Sequence, residues 1–319
     1  MTATKTNRNP KYDTMRFLLL LLVIVGHEME LFLNGWVVYL YKIIYTFHMP
    51  AFMFLTGKFA KFDKKRILKH LCLPYVVFQS LYLCCAAVVS TGKEIKIQFT
   101  TPYWILWYLL AIIFCYMLIP LLPKKESAWA VAVVFVSVLV SILVGYEKTI
   151  GYYLTLSRFF VFLPFFLYGY YHDRIVQLAK KRINFKLSMQ IILSLSAVLL
   201  GEYIIIRGDI PKELLYGSYG YAACGSSPMA RIIVMITAFS WIHLLLNILP
   251  NVQIPVVSAL GKNTMPVFIL HAIFIKYLGK INFFHFNQIV NCELAFIMAI
   301  FLFVLLGNRF VTSFFKKIF

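Results

Sequence analysis

Long apolar stretches follow one another along almost the whole chain, separated by short polar segments. A helix of about 20 apolar residues crosses the roughly 30 Å hydrocarbon core of a bilayer. The pattern therefore predicts an all-α, polytopic membrane protein with about ten transmembrane helices. They are expected at 17–35, 43–60, 71–91, 103–122, 127–145, 151–171, 187–206, 229–249, 258–277 and 289–310.

Composition agrees with this pattern and excludes other classes of protein. Of the 319 residues, 61% are apolar and 13% are charged, whereas soluble domains have about 25% charged residues. Disordered chains and small disulfide scaffolds are excluded by the abundance of large apolar residues. We expect a single integral-membrane domain over 1–319, with a cytoplasmic tail at 1–15 and a long extracytoplasmic loop at 207–228. The first apolar stretch carries ionisable residues and no cleavage site, so we expect it to be a retained helix and not a signal peptide.

The basic residues predict the orientation of the chain in the membrane. There are 31 Lys and Arg residues against 12 Asp and Glu, a net charge of +19. With a cytoplasmic N-terminus, 21 of the basic residues fall in inside segments and 8 in outside segments. The positive-inside rule then places both termini in the cytoplasm, in a cell (plasma or inner) membrane. In a membrane protein this excess indicates orientation and contact with lipid, so no nucleic-acid partner is expected.

The six cysteines show no spacing typical of a metal site, and no metal is expected. Most lie in predicted spans, where a thiol packs as a small apolar group. Cys224 and Cys292 fall near the outer face, and a disulfide between them is left open.

Four ionisable residues lie near the middle of different predicted spans. At 1.5 Å per residue, His27, His48, Arg158 and His271 are each about 16–20 Å from the cytoplasmic end of their helix. An ionisable side chain in hydrocarbon is costly unless it is paired or faces water. These residues either bridge helices as satisfied polar groups or mark a functional site.

Glu30 gives His27 a candidate chemical role. It lies three residues later, on the same helical face, and a carboxylate bonded to one ring nitrogen fixes the tautomer. The other nitrogen is then a base or a nucleophile. Glu28 is expected to meet a cation such as Arg158, and Arg16 lies three turns before His27 on nearly the same face.

The second helix carries FHMPAFMFLTG at 47–57, in which Pro50 removes a backbone hydrogen bond and predicts a kink near His48. A basic run follows at 58–69. It is either a topogenic loop that attracts anionic lipid or a polyphosphate-docking surface, with Arg66 and Lys69 on one helical face.

Aromatic residues gather toward the predicted outer side. Trp107 and Tyr108 open the fourth span, and the 207–228 loop contains Tyr216, Tyr219 and Tyr221. They form either an interfacial aromatic belt or a surface that stacks on sugar rings.

Several of these segments, taken in order, resemble the acyltransferase type 3 family of integral-membrane acyltransferases, above all its fucose O-acetylase and polysaccharide O-acetyltransferase branch. The chain departs from many members in having Arg66 and Lys69 in place of two arginines. The matching segments are RFLLLLLVIVGHE with Arg16 and His27, FHMPAFMFLTG at 47–57, KRILKHLCLPY at 65–75, ILWYLLAI at 105–112, RFFVFLPFFLYGYY at 158–171 and MPVFILH at 265–271.

The resemblance implies transfer of an acetyl or other short acyl group from cytoplasmic acyl-CoA to a hydroxyl of a glycan or lipid-linked sugar. Acetyl-CoA is then a co-substrate, and no permanently bound cofactor is expected. On this reading the catalytic residues are His27, Glu30, His48 and Arg158, the acyl-CoA-binding residues are Arg16, Arg66 and Lys69, and the acceptor-binding residues are Trp107 and Tyr108.

A membrane transporter or exporter of a polysaccharide or acylated small molecule is the main alternative, since transporters also place charges at mid-membrane. The absence of a convincing sequence repeat between 1–150 and 151–319 disfavours it. A membrane sensing module is disfavoured because no soluble domain is attached. The acceptor, the choice between acetyl and succinyl, and a homo-oligomeric state are left open.

Overall fold

A computed structural model describes residues 9–89, 97–181, 185–252, 254–262 and 264–319. Within these ranges the regular structure is helical, and no described residue lies in a strand. The α-helices are α1 (Pro10–Met29), α2 (Val37–Lys58), α3 (Lys64–Ile67), α4 (Leu73–Val89), α5 (Trp107–Leu118), α6 (Ala130–Leu143), α7 (Leu156–Tyr170), α8 (His172–Lys180), α9 (Leu187–Arg207), α10 (Lys212–Leu215), α11 (Tyr221–Cys224), α12 (Pro228–Ile248), α13 (Pro255–Lys262), α14 (Thr264–Lys280), α15 (Gln288–Gly307) and α16 (Arg309–Ile318).

Each of the ten predicted spans overlaps helical structure, and the all-α prediction is confirmed. The number of membrane crossings stays a prediction. Shorter helical turns extend some of these elements: a π-helical stretch at Leu68–Cys72 joins α3 to α4, and a 3₁₀ turn at Trp104–Leu106 precedes α5. Six helical segments among the described residues are long and apolar enough to cross a membrane. They are Val37–Lys58, Lys64–Ala86, Trp104–Leu121, Leu187–Arg207, Pro228–Ile248 and Gln288–Gly307.

The first helix begins and ends earlier than the apolar stretch 17–35 predicts. Asn9 caps it by accepting a hydrogen bond from the Lys11 backbone N–H at 3.0 Å, and Pro10 occupies the first turn. The helix ends at Met29, and a turn with Gly35 at a positive φ of 51° leads into α2. Residues 10–15, predicted as tail, are therefore helical, while 1–8 lie outside the described residues.

The chain divides into two compact units. One comprises Met1–Val37 and His243–Ile318, in which α1 packs against α13, α14 and α15. The other comprises Val38–Ile242 with Phe319, in which α7 packs against α5 and α6.

In the second unit, the backbones of α2 and α7 approach closely at two glycines. A Cβ atom on Gly57 would lie 1.9 Å from the Phe166 carbonyl oxygen, and one on Gly169 would lie 2.0 Å from the Phe54 carbonyl oxygen. Small residues at such crossings let membrane helices pack through their backbones. Gly57 lies in the sequence segment 47–57 and Gly169 in 158–171. The close approach of the two backbones explains why each position is a glycine.

All six cysteines are free thiols, so a disulfide between Cys224 and Cys292 is not formed. The 207–228 segment contains the short helices α10 and α11. Among the described residues, no group of three or more His, Cys, Asp and Glu side chains is arranged to hold a metal ion.

Candidate active site

His27 and Glu30 are in contact at the carboxyl end of α1. The distance from His27 Nδ1 to Glu30 Oε1 is 3.1 Å, and both side chains are partly exposed. A carboxylate oxygen accepts hydrogen bonds, so Nδ1 donates and the ring lone pair of a neutral imidazole lies on Nε2. The contact expected from the three-residue spacing is therefore present.

A second histidine stacks on His27. The ring of His271, on α14, lies 5.7 Å from that of His27 with an angle of 28° between the ring planes. His271 is fully buried and donates from Nδ1 to the Val267 carbonyl oxygen at 3.0 Å, while its Nε2 has no hydrogen-bond partner among the described residues. The sequence placed both residues at a similar depth but could not show that their rings meet.

Glu28 is a buried acidic residue near the carboxyl end of α1. It is 0% exposed, and neither carboxylate oxygen has a hydrogen-bond partner among the described residues. The expected pairing of Glu28 with a cation such as Arg158 stays a prediction. Within its own unit, Arg158 contacts a backbone carbonyl and two aromatic rings.

Arg16 lies near the amino end of α1, where it pairs with Asp13. Asp13 has no role in the predictions made from the sequence. The Arg16 Nη1 is 3.5 Å from Oδ1 of Asp13, one turn earlier on the same helix. Asp13 is buried, whereas the Arg16 side chain is partly exposed. The pair gives the buried Asp13 a counter-charge, and the spacing of three residues could have revealed it.

In the second unit, His48 is buried inside α2, which runs on through Pro50. Its Nδ1 donates to the Ile44 carbonyl oxygen at 2.7 Å. The ring packs edge-on against Tyr45, with 4.7 Å between centroids. As in His271, a backbone carbonyl one turn earlier fixes the tautomer, and the lone pair lies on Nε2.

Arg158, on α7, sits in an aromatic cluster. Its Nε donates to the Tyr216 carbonyl oxygen at 3.0 Å, and its guanidinium lies 4.8 Å from the ring centre of Trp107 and 5.2 Å from that of Tyr152. The Tyr152 hydroxyl donates to that of Tyr219 at 3.0 Å.

The two aromatic residues chosen from the sequence for acceptor binding are mostly covered. Trp107 is 9% exposed and stacks on Phe162, with 5.3 Å between ring centroids. Tyr108 is equally buried, and its hydroxyl is 2.6 Å from that of Thr56. Tyr152, which the sequence analysis did not select, is 42% exposed and is the more accessible ring beside Arg158.

The basic run lies at the start of the helical segment that leads into α4. Asp63 caps α3 by accepting a hydrogen bond from the Arg66 backbone N–H at 3.1 Å. The side chains of Arg66 and Lys69 are exposed, whereas Lys58 forms an ion pair with Asp173. The run therefore presents a solvated cationic surface at Arg66 and Lys69.

Comparison with known proteins adds independent information. A family described as an acyltransferase domain, of the type 3 class, matches residues 9–308. The chain is also similar to the nodulation protein NolL of Sinorhizobium fredii (strain NBRC 101917 / NGR234), with 36% identity over 64 residues. This second match spans 18% of this chain and 18% of that relative. No solved structure matches the chain.

Proposed function

The chain belongs to the acyltransferase type 3 family, and from that premise we propose that it moves an acetyl or other short acyl group from acyl-CoA to a hydroxyl of a cell-surface glycan or its precursor. The observation that carries the proposal is the 3.1 Å contact between His27 and Glu30. It supplies an oriented imidazole in a helix that is otherwise mostly apolar.

The proposed chemistry uses the Nε2 lone pair of His27 in one of two ways. As a general base, Nε2 takes the proton of the acceptor hydroxyl while the hydroxyl oxygen attacks the thioester carbonyl. The carbon–sulfur bond then breaks, and the imidazolium returns the proton to the departing CoA thiolate. As a nucleophile, Nε2 attacks the thioester carbonyl, the carbon–sulfur bond breaks and CoA leaves as the thiolate. The acceptor oxygen then attacks the acyl-imidazole, the carbon–nitrogen bond breaks, and the hydroxyl proton passes through Nε2 to the CoA thiolate.

Glu30 supports either route. Its carboxylate accepts the Nδ1–H bond, so it holds the tautomer and stabilises positive charge on the ring as Nε2 reacts. For the thioester oxyanion we propose His48 or Arg158 as the stabilising group. A neutral His48 with its proton on Nδ1 cannot donate from Nε2, so the guanidinium of Arg158 is the better donor in the observed hydrogen-bonding state.

For the donor, we propose that the CoA phosphates bind Arg16, Arg66 and Lys69. Guanidinium and ammonium groups suit phosphate oxygens, and all three side chains are at least partly exposed. This assignment goes with a topology of ten membrane spans, both termini in the cytoplasm and a location in the plasma or inner membrane, each of which is part of the proposal.

Arg16→Ala is expected to raise the KM for acyl-CoA by about tenfold or more, because one charge-assisted hydrogen bond to a phosphate is lost. The measurement is initial velocity against acyl-CoA concentration in membranes that hold equal amounts of protein.

Two variants separate donor binding from the Arg16 pair with Asp13. Asp13→Asn removes the carboxylate and keeps Arg16, so its KM should stay close to that of the wild type. Lys316→Ala removes another basic residue and should also leave the KM unchanged. An unchanged KM in Arg16→Ala, or the same rise in Asp13→Asn, would argue against phosphate docking.

For the acceptor, we propose a site around Arg158. Its guanidinium offers hydrogen-bond donors to the hydroxyl oxygens of a sugar. The exposed ring of Tyr152 offers an apolar surface on which the sugar ring stacks. Trp107 and Tyr108, the acceptor-binding candidates from the sequence, are mostly covered. They would then support the site as packing residues, with Trp107 against the guanidinium of Arg158.

Arg158→Lys is expected to lower kcat about a hundredfold, because an ammonium cannot replace the planar guanidinium that Tyr216, Trp107 and Tyr152 hold in place. Steady-state kinetics with saturating acyl-CoA measures this, with Arg207→Gln as a basic-residue control. A rise confined to the acceptor KM would assign Arg158 to acceptor binding alone, and wild-type kinetics would remove it from the site.

Mass spectrometry of surface glycans tests the proposed function in the cell. A strain that lacks the gene should lose one acyl substituent, recognised by its mass, and the wild-type gene should restore it. Identical glycan acylation in the two strains would contradict the proposed acceptor class.

A further inference from the structure

Arg231, near the start of α12, is a buried cation with no carboxylate beside it in the part of the chain that the structure describes. Its side chain is 1% exposed, and beyond the side chain of Tyr221 no described residue offers its guanidinium nitrogens a hydrogen-bond acceptor. The guanidinium carbon lies 5.6 Å from the ring centre of Tyr221. Arginine does not lose its proton in proteins, so the charge persists in this dry environment.

The surroundings of Arg231 are apolar. Tyr221 belongs to a buried cluster with Ile205, Ile210 and Leu214, against which the neighbouring Ala230 packs. The nearby acidic residue Glu213 lies 3.9 Å from Lys212 instead. A charge in such apolar surroundings is costly unless an opposite charge or hydrogen-bond acceptors replace its lost hydration.

Further donors accompany the guanidinium. The hydroxyl of Ser226 is buried and has no partner among the described residues. The next residue, Ser227, caps α12 by accepting a hydrogen bond from the Ala230 backbone N–H at 3.2 Å. The amino end of a long helix carries partial positive charge and favours anions. The guanidinium, the hydroxyl and the helix end lie within 226–231 of the chain, and each of them favours an anion.

We propose that Arg231 and Ser226 bind a phosphate group at the amino end of α12, and that the phosphate belongs to a lipid headgroup. Arg231 is three residues from Pro228, so it lies about 5 Å along the axis from the start of a membrane helix. Headgroup phosphates occur at that level of a bilayer. A planar guanidinium matches two phosphate oxygens, and Ser226 supplies a third hydrogen bond.

The short helix α11 is the cover of the proposed site. Tyr221, at its start, lies over the guanidinium, and Gly225 ends it in the left-handed conformation at φ 62°. Displacement of this four-residue helix exposes Arg231 to a phosphate. The site does not depend on the acyl-transfer chemistry, so it stands or falls separately from the proposed function.

The test is the thermal stability of the full-length protein in neutral detergent, titrated with phosphatidylglycerol in one series and inorganic phosphate in another. Potassium chloride at matched ionic strength controls for screening. A ligand that binds the folded state raises the melting temperature with concentration. The wild type is expected to respond to phosphatidylglycerol, Arg231→Met to lose the response, and Arg207→Gln, which changes an exposed arginine of the same region, to keep it.

Ser226→Ala keeps the test decisive if Arg231→Met does not fold. It is expected to raise the concentration for half-maximal stabilisation about tenfold, because one hydrogen bond to a charged group is lost. An equal response to inorganic phosphate supports the site with a free anion as its source. The proposal is overturned if chloride gives the same response, if the wild type responds to neither probe, or if Ser226→Ala and any folded Arg231→Met respond like the wild type.

Discussion

Replacing His27 with Ala is expected to lower acyl transfer by about a thousandfold while leaving the protein folded and in the membrane. A positioned base or nucleophile contributes about 10²–10⁴-fold to such reactions. His27 is partly exposed, and its imidazole is oriented by Glu30. His271 stacks on the same ring but is fully buried. The measurement is transfer of radiolabelled acyl groups from acyl-CoA to membrane glycans.

Glu30→Gln is the matched variant for this prediction. It keeps the shape of the side chain and removes the charge that holds the Nδ1 proton, so transfer should fall less than in His27→Ala. Equal protein amounts and equal melting temperatures show that each variant is folded. Wild-type transfer by His27→Ala would remove His27 from the reaction, and wild-type transfer by Glu30→Gln would remove only the orienting role.

Gly57→Ala and Gly169→Ala are each expected to destabilise the fold strongly. The added Cβ atoms would lie 1.9 Å and 2.0 Å from carbonyl oxygens of Phe166 and Phe54, on the facing helix. Because both obstructing atoms are backbone, α2 and α7 must separate, and overpacking in a tight core costs about 1–3 kcal/mol or more. Thermal unfolding in detergent and the yield of folded protein measure the effect.

Gly279→Ala is the control for this pair. A Cβ atom there would lie 3.0 Å from Leu31 Cδ2, the far end of a side chain that can rotate away. Its melting temperature should stay close to that of the wild type. If Gly57→Ala and Gly169→Ala melt like Gly279→Ala, the close crossing of α2 and α7 is incorrect.

The sequence predicts the helices well because spans are long and apolar, and that signal is local. The limits of α1 were missed because Asn9 and Pro10, which start it, lie outside the apolar stretch. The contact between His27 and Glu30 was predictable because both are on one helix, at a spacing that dictates proximity.

Contacts between different helices were not predictable in this way. The stacking of His271 on His27 depends on how α14 packs against α1, and the burial of Trp107 depends on Phe162 of α7. Glu28 shows the same limit: its charge suggests a cationic partner, but its spacing along α1 does not show that the carboxylate is buried with no hydrogen-bond partner among the described residues. Single-helix spacing therefore identifies candidate groups, and packing decides which of them meet.

Consumption of acyl-CoA by the purified protein tests the central claim most directly. The protein is placed in sealed vesicles without any ion or substrate gradient, with a glycan acceptor present, and the free thiol of released CoA is measured. The proposed acyltransferase releases CoA in step with acylation of the acceptor, and His27→Ala does not. A wild-type protein that leaves acyl-CoA intact, or a His27→Ala protein that consumes it at the wild-type rate, would contradict the account.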